Sequence, residues 1–228
     1  MNLLLFDIDG TLLTTNGAGR GAVESALAEL TGQPISADGI SFSGKTDPQI
    51  LREVLTQNGV DAAWTNGRFA EVVESFRQTM HRLFDPDGTD ELEGAAALVE
   101  RLHADDRVQL ALLTGNLSEM AYLKVGAIGL GETHFPFGAF GSDAEDRNAL
   151  PAIAVERAHA HGDRSFEAGE VIVIGDTPRD IACARAYGAR AVAVATGRFD
   201  RDALAEHEPD ALLDDLADTD AVAELLVS

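Results

Sequence analysis

Apolar residues fall into two patterns along the chain. Leu3–Phe6, Val108–Leu113, Val171–Ile174 and Ala191–Ala195 are short, nearly continuous apolar runs with Gly or Asp at their borders. Such runs predict strands buried on both faces, as in a parallel sheet. Ala211–Leu213 is a further short candidate. Between these runs, Gly94–His103, Leu117–Ile128, Leu150–Ala160 and Pro178–Tyr187 carry helical patterns. Strand alternating with helix predicts a doubly wound α/β fold.

One stretch breaks the alternation. From Gly17 to Phe84 no buried strand is evident, and Gly21–Leu30, Pro48–Gln57 and Arg68–Phe84 are amphipathic instead. In the last of these, Phe69, Val72, Val73, Phe76, Met80 and Leu83 recur at helical spacing and read as core packing. Asn16-Gly17 opens the stretch and Asp85-Pro86-Asp87-Gly88 closes it with turn chemistry. The expectation is a helical insert at 16–87 on two hinges, set in a core made of 1–15 and 88–228. Ligands in such sheets bind beyond the carboxyl ends of the strands, so an insert leaving from there would sit over the site.

Composition narrows the function. The 228 residues include 39 Asp and Glu against 17 Lys and Arg, a formal net charge of −22. Nucleic-acid binding and docking on anionic lipid both need a basic surface, so both are disfavoured. The lone Cys183 makes no internal disulfide, and nothing points to an oxidising compartment. The opening apolar run is too short for a signal peptide, and no run approaches the ~20 residues of a membrane span. A cytoplasmic protein is expected, with its oligomeric state unreadable. Lys45 and Lys124 are the only lysines. That balance fits adaptation to high salt and a plain Arg-preferring acidic composition equally well.

The candidate chemistry lies at the strand ends. Asp7 follows Leu-Leu-Leu-Phe directly, and a carboxylate there costs free energy unless it is paired or metal-bound. Asp9, two residues on, can share one side of the chain with it. Asp176 ends Val-Ile-Val-Ile-Gly, and Thr114 ends Leu-Ala-Leu-Leu. Parallel strands thus deliver Asp, Thr and Asp to one edge. Clustered carboxylates suit a hard divalent cation such as Mg²⁺. One carboxylate could attack an electrophile, and another could protonate the leaving oxygen and then activate water. Thr114 and the N–H groups after it, if they open a helix, suit phosphate oxygens.

Phe6-Asp7-Ile8-Asp9-Gly10-Thr11-Leu12 resembles the first motif of the haloacid dehalogenase superfamily, Asp-x-Asp-Gly-Thr. Leu113-Thr114-Gly115-Asn116 is similar to its second motif, and Gly175-Asp176-Thr177-Pro178-Arg179-Asp180 to its fourth. The resemblance spans the chain and implies a Rossmann-like core with an inserted α-helical cap, close to phosphoglycolate phosphatases in kind. It implies that Asp7 is the nucleophile and a Mg²⁺ ligand. Asp9 would be the general acid and base, giving its backbone carbonyl to the metal. Thr114, with Gly115 and Asn116, would hold the phosphoryl group, and Asp176 would complete the metal site. For Asp180 two compatible roles stand open. It could support the metal, or cap a helix from its place three residues after Thr177 with Pro178 between.

The third motif departs from the family pattern, which places a Lys there. Ser142-Asp143-Ala144-Glu145-Asp146-Arg147 holds none, and Arg147 is the preferred candidate to neutralise Asp7 and the phosphoryl group. Lys124 is the rival, although a continuous helix would carry it roughly 15 Å from Thr114. Gly39-Ile40-Ser41-Phe42-Ser43-Gly44-Lys45-Thr46 satisfies the P-loop string, yet it lacks a strand before it, and Asp47-Pro48 follows at once. It reads as coincidence, with the helix expected from Pro48. Lys45 is nonetheless a candidate to touch the substrate. The dispersed His residues suggest no zinc site, and Cys183 reads as a packing residue.

Asp9 favours phosphate esters, because dehalogenases and phosphonatases of this superfamily lack an acid there. The resemblance therefore points to a Mg²⁺-dependent phosphatase of a small phosphate ester, phosphoglycolate- or sugar-phosphate-like. A phosphomutase shares the motifs. A phosphate-responsive binding protein would need neither Asp9 nor the insert, and a P-loop nucleotide hydrolase is disfavoured by the setting of Lys45.

Overall fold

The apolar run at the start of the chain becomes the middle of the sheet. The computed structural model describes residues 1–162 and 164–228. β1 (Asn2–Phe6) leads through a short β2 (Leu13–Thr14) into α1 (Ala18–Thr31), α2 (Asp47–Gln57) and α3 (Ala62–Leu83). The chain returns through β3 (Asp90–Glu91), α4 (Ala95–His103), β4 (Val108–Thr114), α5 (Ser118–Ala127) and β5 (Gly138–Phe140). It then runs through α6 (Leu150–Gly162), β6 (Val171–Gly175), α7 (Pro178–Tyr187) and β7 (Arg190–Val194). α8 (Arg201–Ala205), β8 (Ala211–Leu213) and α9 (Thr219–Val227) complete it.

Among the described residues, a parallel sheet runs in the order β5-β4-β1-β6-β7-β8. Leu4 and Phe6 face a layer containing α4, α5 and α9, while Leu3 and Leu5 face α6 and α7. All four of these side chains are fully buried. Burying a large aliphatic or aromatic side chain contributes about 1.5–3 kcal/mol, which is why unbroken apolar runs settle here. From β1 the chain builds outward to β4 and β5, then crosses back to β6 on the other side. The crevice left where the order reverses opens at the carboxyl ends of β1, β4 and β6.

The helical insert packs on its own apolar centre. Val72, Phe76 and Met80 of α3 meet Ala22, Val23, Ala26 and Leu27 of α1, and Leu117 and Met120 beside and within α5 join them. The insert is thus seated on the sheet layer. The chain turns at both ends of the insert. Asn16 and Gly17 adopt positive φ, 51° and 89°, and Asn16 Nδ2 donates to Asp90 Oδ2 at 2.9 Å. β2 and β3 pair antiparallel beside them, and Asp85 accepts from the Asp87 N–H.

Several boundaries differ from expectation for local reasons. α2 starts at Asp47 rather than Pro48, because Thr46 caps it and Pro sits comfortably in the first turn. α3 starts at Ala62, capped by Asp61, well before the apolar stripe begins. β5, α8 and α9 had no strong pattern of their own. β5 is a short edge strand, and α9 earns its place by packing Val222, Ala223 and Leu226 into the core. No helix among the described residues is long and apolar enough to cross a membrane.

Candidate active site

Asp7, Thr114 and Asp176 meet in the crevice, each at or just beyond the end of its strand. The Asp7 N–H donates to Ile174 O at 2.9 Å, continuing the β1–β6 ladder by one residue. The chain then turns at Gly10, where φ is +87°. A Cβ on Gly10 would stand 2.4 Å from Asp176 Oδ2, and one on Gly197 would stand 1.7 Å from the same oxygen. Bare backbone therefore closes around the Asp176 carboxylate from two sides.

Asp7, Asp176 and Asp180 are all buried, and each offers an oxygen within 4.8 Å of the others. Burial pushes the Asp7 carboxyl up to about 6, against the pull of Arg147. Burial also pushes Asp176 up to about 9, and Asp180 and Asp7 add repulsion. Arg147 alone cannot neutralise this charge, so the oxygen-rich donor set fits a hard divalent cation. Asp180 serves the cap reading as well. Its Oδ2 accepts from the Thr177 N–H at 3.0 Å and the hydroxyl at 2.6 Å, a reciprocal capping box. Its Oδ1 accepts from Arg147 Nη2 at 2.5 Å.

Arg147 and Lys124 both reach the site, on different carboxylates. Arg147 Nη2 lies 3.1 Å from Asp7 Oδ1. Lys124 Nζ donates to both oxygens of Asp9, at 2.8 and 2.7 Å, and to Asn116 Oδ1 at 2.7 Å. The long separation expected for Lys124 assumed one helix from Thr114. The helix starts only at Ser118, after a turn, so a residue two turns into α5 reaches back over the strand end. Asn116 completes the group. Its Nδ2 donates to Asp9 Oδ2 at 2.7 Å and to Thr114 Oγ1 at 2.8 Å.

The N–H groups after Thr114 are placed differently from the simple expectation. Asn116 N donates to Thr114 Oγ1, Leu117 N to Asp47 Oδ2 at 2.8 Å, and Ser118 N to Ser142 Oγ. The opening of α5 is thus held by the protein, and its N–H groups are not presented to the cavity. Asp47 had no local signal beyond a helix start, yet it ties the insert to this loop. Its N–H also donates to Gly115 O at 2.7 Å. Burial pushes its carboxyl up to about 6, opposed by Lys124. Lys45 lines the cavity and pairs with Glu53. The P-loop string forms an irregular loop lying on Gly115 and Thr177, with no strand before it. Cys183 is buried, and burial pushes its thiol up to about 12, which makes it inert packing.

The cavity holds about 270 Å³ between insert and sheet edge. Its closure depends on backbone contact, since a Cβ on Gly115 would stand 2.0 Å from Lys45 O. Gly115→Ala is expected to push the insert loop outward. Steady-state kinetics should show KM raised about tenfold or more, with a melting temperature lower by several degrees, for roughly 1–3 kcal/mol of overpacking.

Residues 4–194 match the family model described as haloacid dehalogenase-like hydrolase. The chain is 26% identical over 219 residues to phosphoglycolate phosphatase of Pectobacterium atrosepticum, covering 94% of this chain and 89% of that one. It is 25% identical over 222 residues to phosphoglycolate phosphatase of Pseudomonas fluorescens, covering 94% and 76%. A hydrolase from Pseudomonas syringae shares the fold with a TM-score of 0.74 at 20% identity, over all of both chains.

Proposed function

Since the chain belongs to the haloacid dehalogenase-like hydrolases, we propose that it is a Mg²⁺-dependent phosphatase of a small phosphorylated metabolite. In this reading residues 16–87 are the cap and 1–15 with 88–228 the core. The observation that carries it is the pairing of two acids in different settings. Asp7 is buried against Arg147, and Asp9, two residues on, is held by Lys124 and Asn116. Asp7 sits inside the crevice and Asp9 stands more open at its rim, so one can attack phosphorus while the other reaches the leaving oxygen.

An Asp7 oxygen attacks phosphorus, and the bond from phosphorus to the ester oxygen breaks. Asp9 gives that oxygen its proton. Asp9 then takes a proton from water, which attacks the aspartyl-phosphate at phosphorus, freeing phosphate and restoring Asp7. Arg147 stabilises the charge on the phosphoryl oxygens, and the Thr114 hydroxyl with the Gly115 backbone orients them, while Asn116 holds Thr114 and Asp9 in place. Asp7, Asp176 and the Asp9 carbonyl would hold Mg²⁺, with Asp180 supporting them. When bound, the ion supplies positive charge that offsets repulsion between an anionic substrate and an acidic site. The relatives named phosphoglycolate phosphatase support a phosphoglycolate- or sugar-phosphate-like substrate.

The test is phosphate release from a panel of small phosphate esters, with Mg²⁺ and with EDTA. Release that EDTA reduces at least about 10²-fold is expected. Isomerisation of a hexose phosphate without net release would indicate a mutase instead. Silence across the panel, with phosphate still bound, would indicate a binding protein.

A further inference from the structure

The insert side of the cavity carries a cation without a counter-ion. All but four of the 17 Lys and Arg residues pair with a carboxylate within 4.0 Å. Among the described residues the exceptions are Arg20, Arg179, Arg190 and Arg198, and of these only Arg20 lines this cavity. An unpaired cation is conspicuous in a chain of net charge −22.

Arg20 stands in the first turn of α1 and is held by neutral groups. Nη1 donates to Ala37 O at 2.5 Å and Nη2 to Ile40 O at 2.8 Å, while the guanidinium lies 4.4 Å from the centre of the Phe42 ring. These partners orient the group without cancelling its charge, and they use two of its five N–H donors. Glu24, one turn along α1, does not pair with it. Its carboxylate accepts from the Ala37 N–H at 2.8 Å. The other cavity cations each have a carboxylate partner: Lys45 has Glu53, Lys124 has Asp9, and Arg147 has Asp7 and Asp180. Beside these, the insert's share of the lining is mostly apolar, with Val23, Phe42, Ile50, Phe76 and Met80, and Ser43 supplies its one hydroxyl. Such a wall has few partners for a row of sugar hydroxyls and one strong partner for an anion.

We propose that Arg20 is a specificity-determining residue that binds a carboxylate on the leaving portion of the substrate. The substrate class is then a short phosphorylated hydroxy acid, not a phosphorylated polyol. This inference rests on the hydrolase reading above and chooses between its two substrate types.

A matched pair of esters tests it: 2-phosphoglycolate and 2-hydroxyethyl phosphate, which differ in a carboxylate against a hydroxymethyl group. Wild type is expected to favour the acid on the order of 10²-fold in kcat/KM, the strength of a charge-assisted pair. In Arg20→Met that ratio should fall to within about threefold of unity, and Arg20→Lys should retain part of it. Comparing both esters on one variant removes any general loss from a loosened loop. Comparable wild-type rates on both esters, or a ratio that survives Arg20→Met, would overturn the role of Arg20 and leave the hydrolase standing. No release from these or any other ester would overturn the hydrolase reading and this inference with it.

Discussion

Asp7→Asn is expected to lower Mg²⁺-dependent phosphate release by about 10⁴-fold or more, the scale seen when an attacking residue is lost. Asn keeps the shape and can keep the backbone bond from residue 7 to Ile174 O. It supplies no nucleophilic oxygen. The loss should fall on kcat, because Arg147 and the loop at Thr114 remain to bind ester. Stability should not fall with it. Burial holds the Asp7 carboxyl near 6 in the fold, above its ordinary 3.8, so the ionised form is the costly one at neutral pH. A neutral amide removes that cost. A variant that is inactive and also poorly folded would point to a structural role instead.

Asp176→Asn should give the larger stability effect, with a sign opposite to most buried substitutions. Its folded value of about 9 stands well above the ordinary 3.8. A raised carboxyl contributes its full stability below the unfolded value and loses it as pH rises through the folded one. Between about 4 and 9, metal-free wild type therefore weakens with rising pH, and the variant lacks that slope. At pH 8 without metal the variant is expected to melt about 5–10 °C higher, a few kcal/mol at this chain length, with the gap closing near pH 4. Added Mg²⁺ should stabilise wild type, more at pH 8 than at pH 5, and should leave the variant unmoved. Phosphate release by the variant should drop by about 10³-fold. A metal-free variant less stable than wild type at pH 8 would show that the carboxylate is held by something other than an awaited cation.

The core of the fold was legible because burial on both faces leaves a local mark. Leu3–Phe6 and Val171–Ile174 had no polar residue to place outward, so they became central strands. The acids immediately after them stood out for the same reason: a charge at the end of a fully apolar run calls for an explanation. What was left open or missed depends on partners far apart in the chain. Lys124 meets Asp9 across 115 positions, and Asp47 meets Leu117 across 70. Neither has a local pattern beyond an ordinary helix residue. Arg20 is marked by the counter-ion it lacks, which only the packed chain reveals. Asp180 was open to metal support or a helix cap; one of its oxygens makes the cap with Thr177, and the other meets Arg147.

The most direct test of Asp7 as the phosphoryl acceptor is to trap the acyl-phosphate. Asp9→Asn removes the residue that activates water, and an aryl phosphate supplies a leaving group that needs no proton. Acid quench and mass spectrometry of the peptides should then find one phosphoryl group on the peptide holding Asp7. Hydroxylamine should remove it, and Asp7→Asn should abolish it. Turnover with no phosphoryl group on that peptide, or with one on a different residue, would contradict the mechanism.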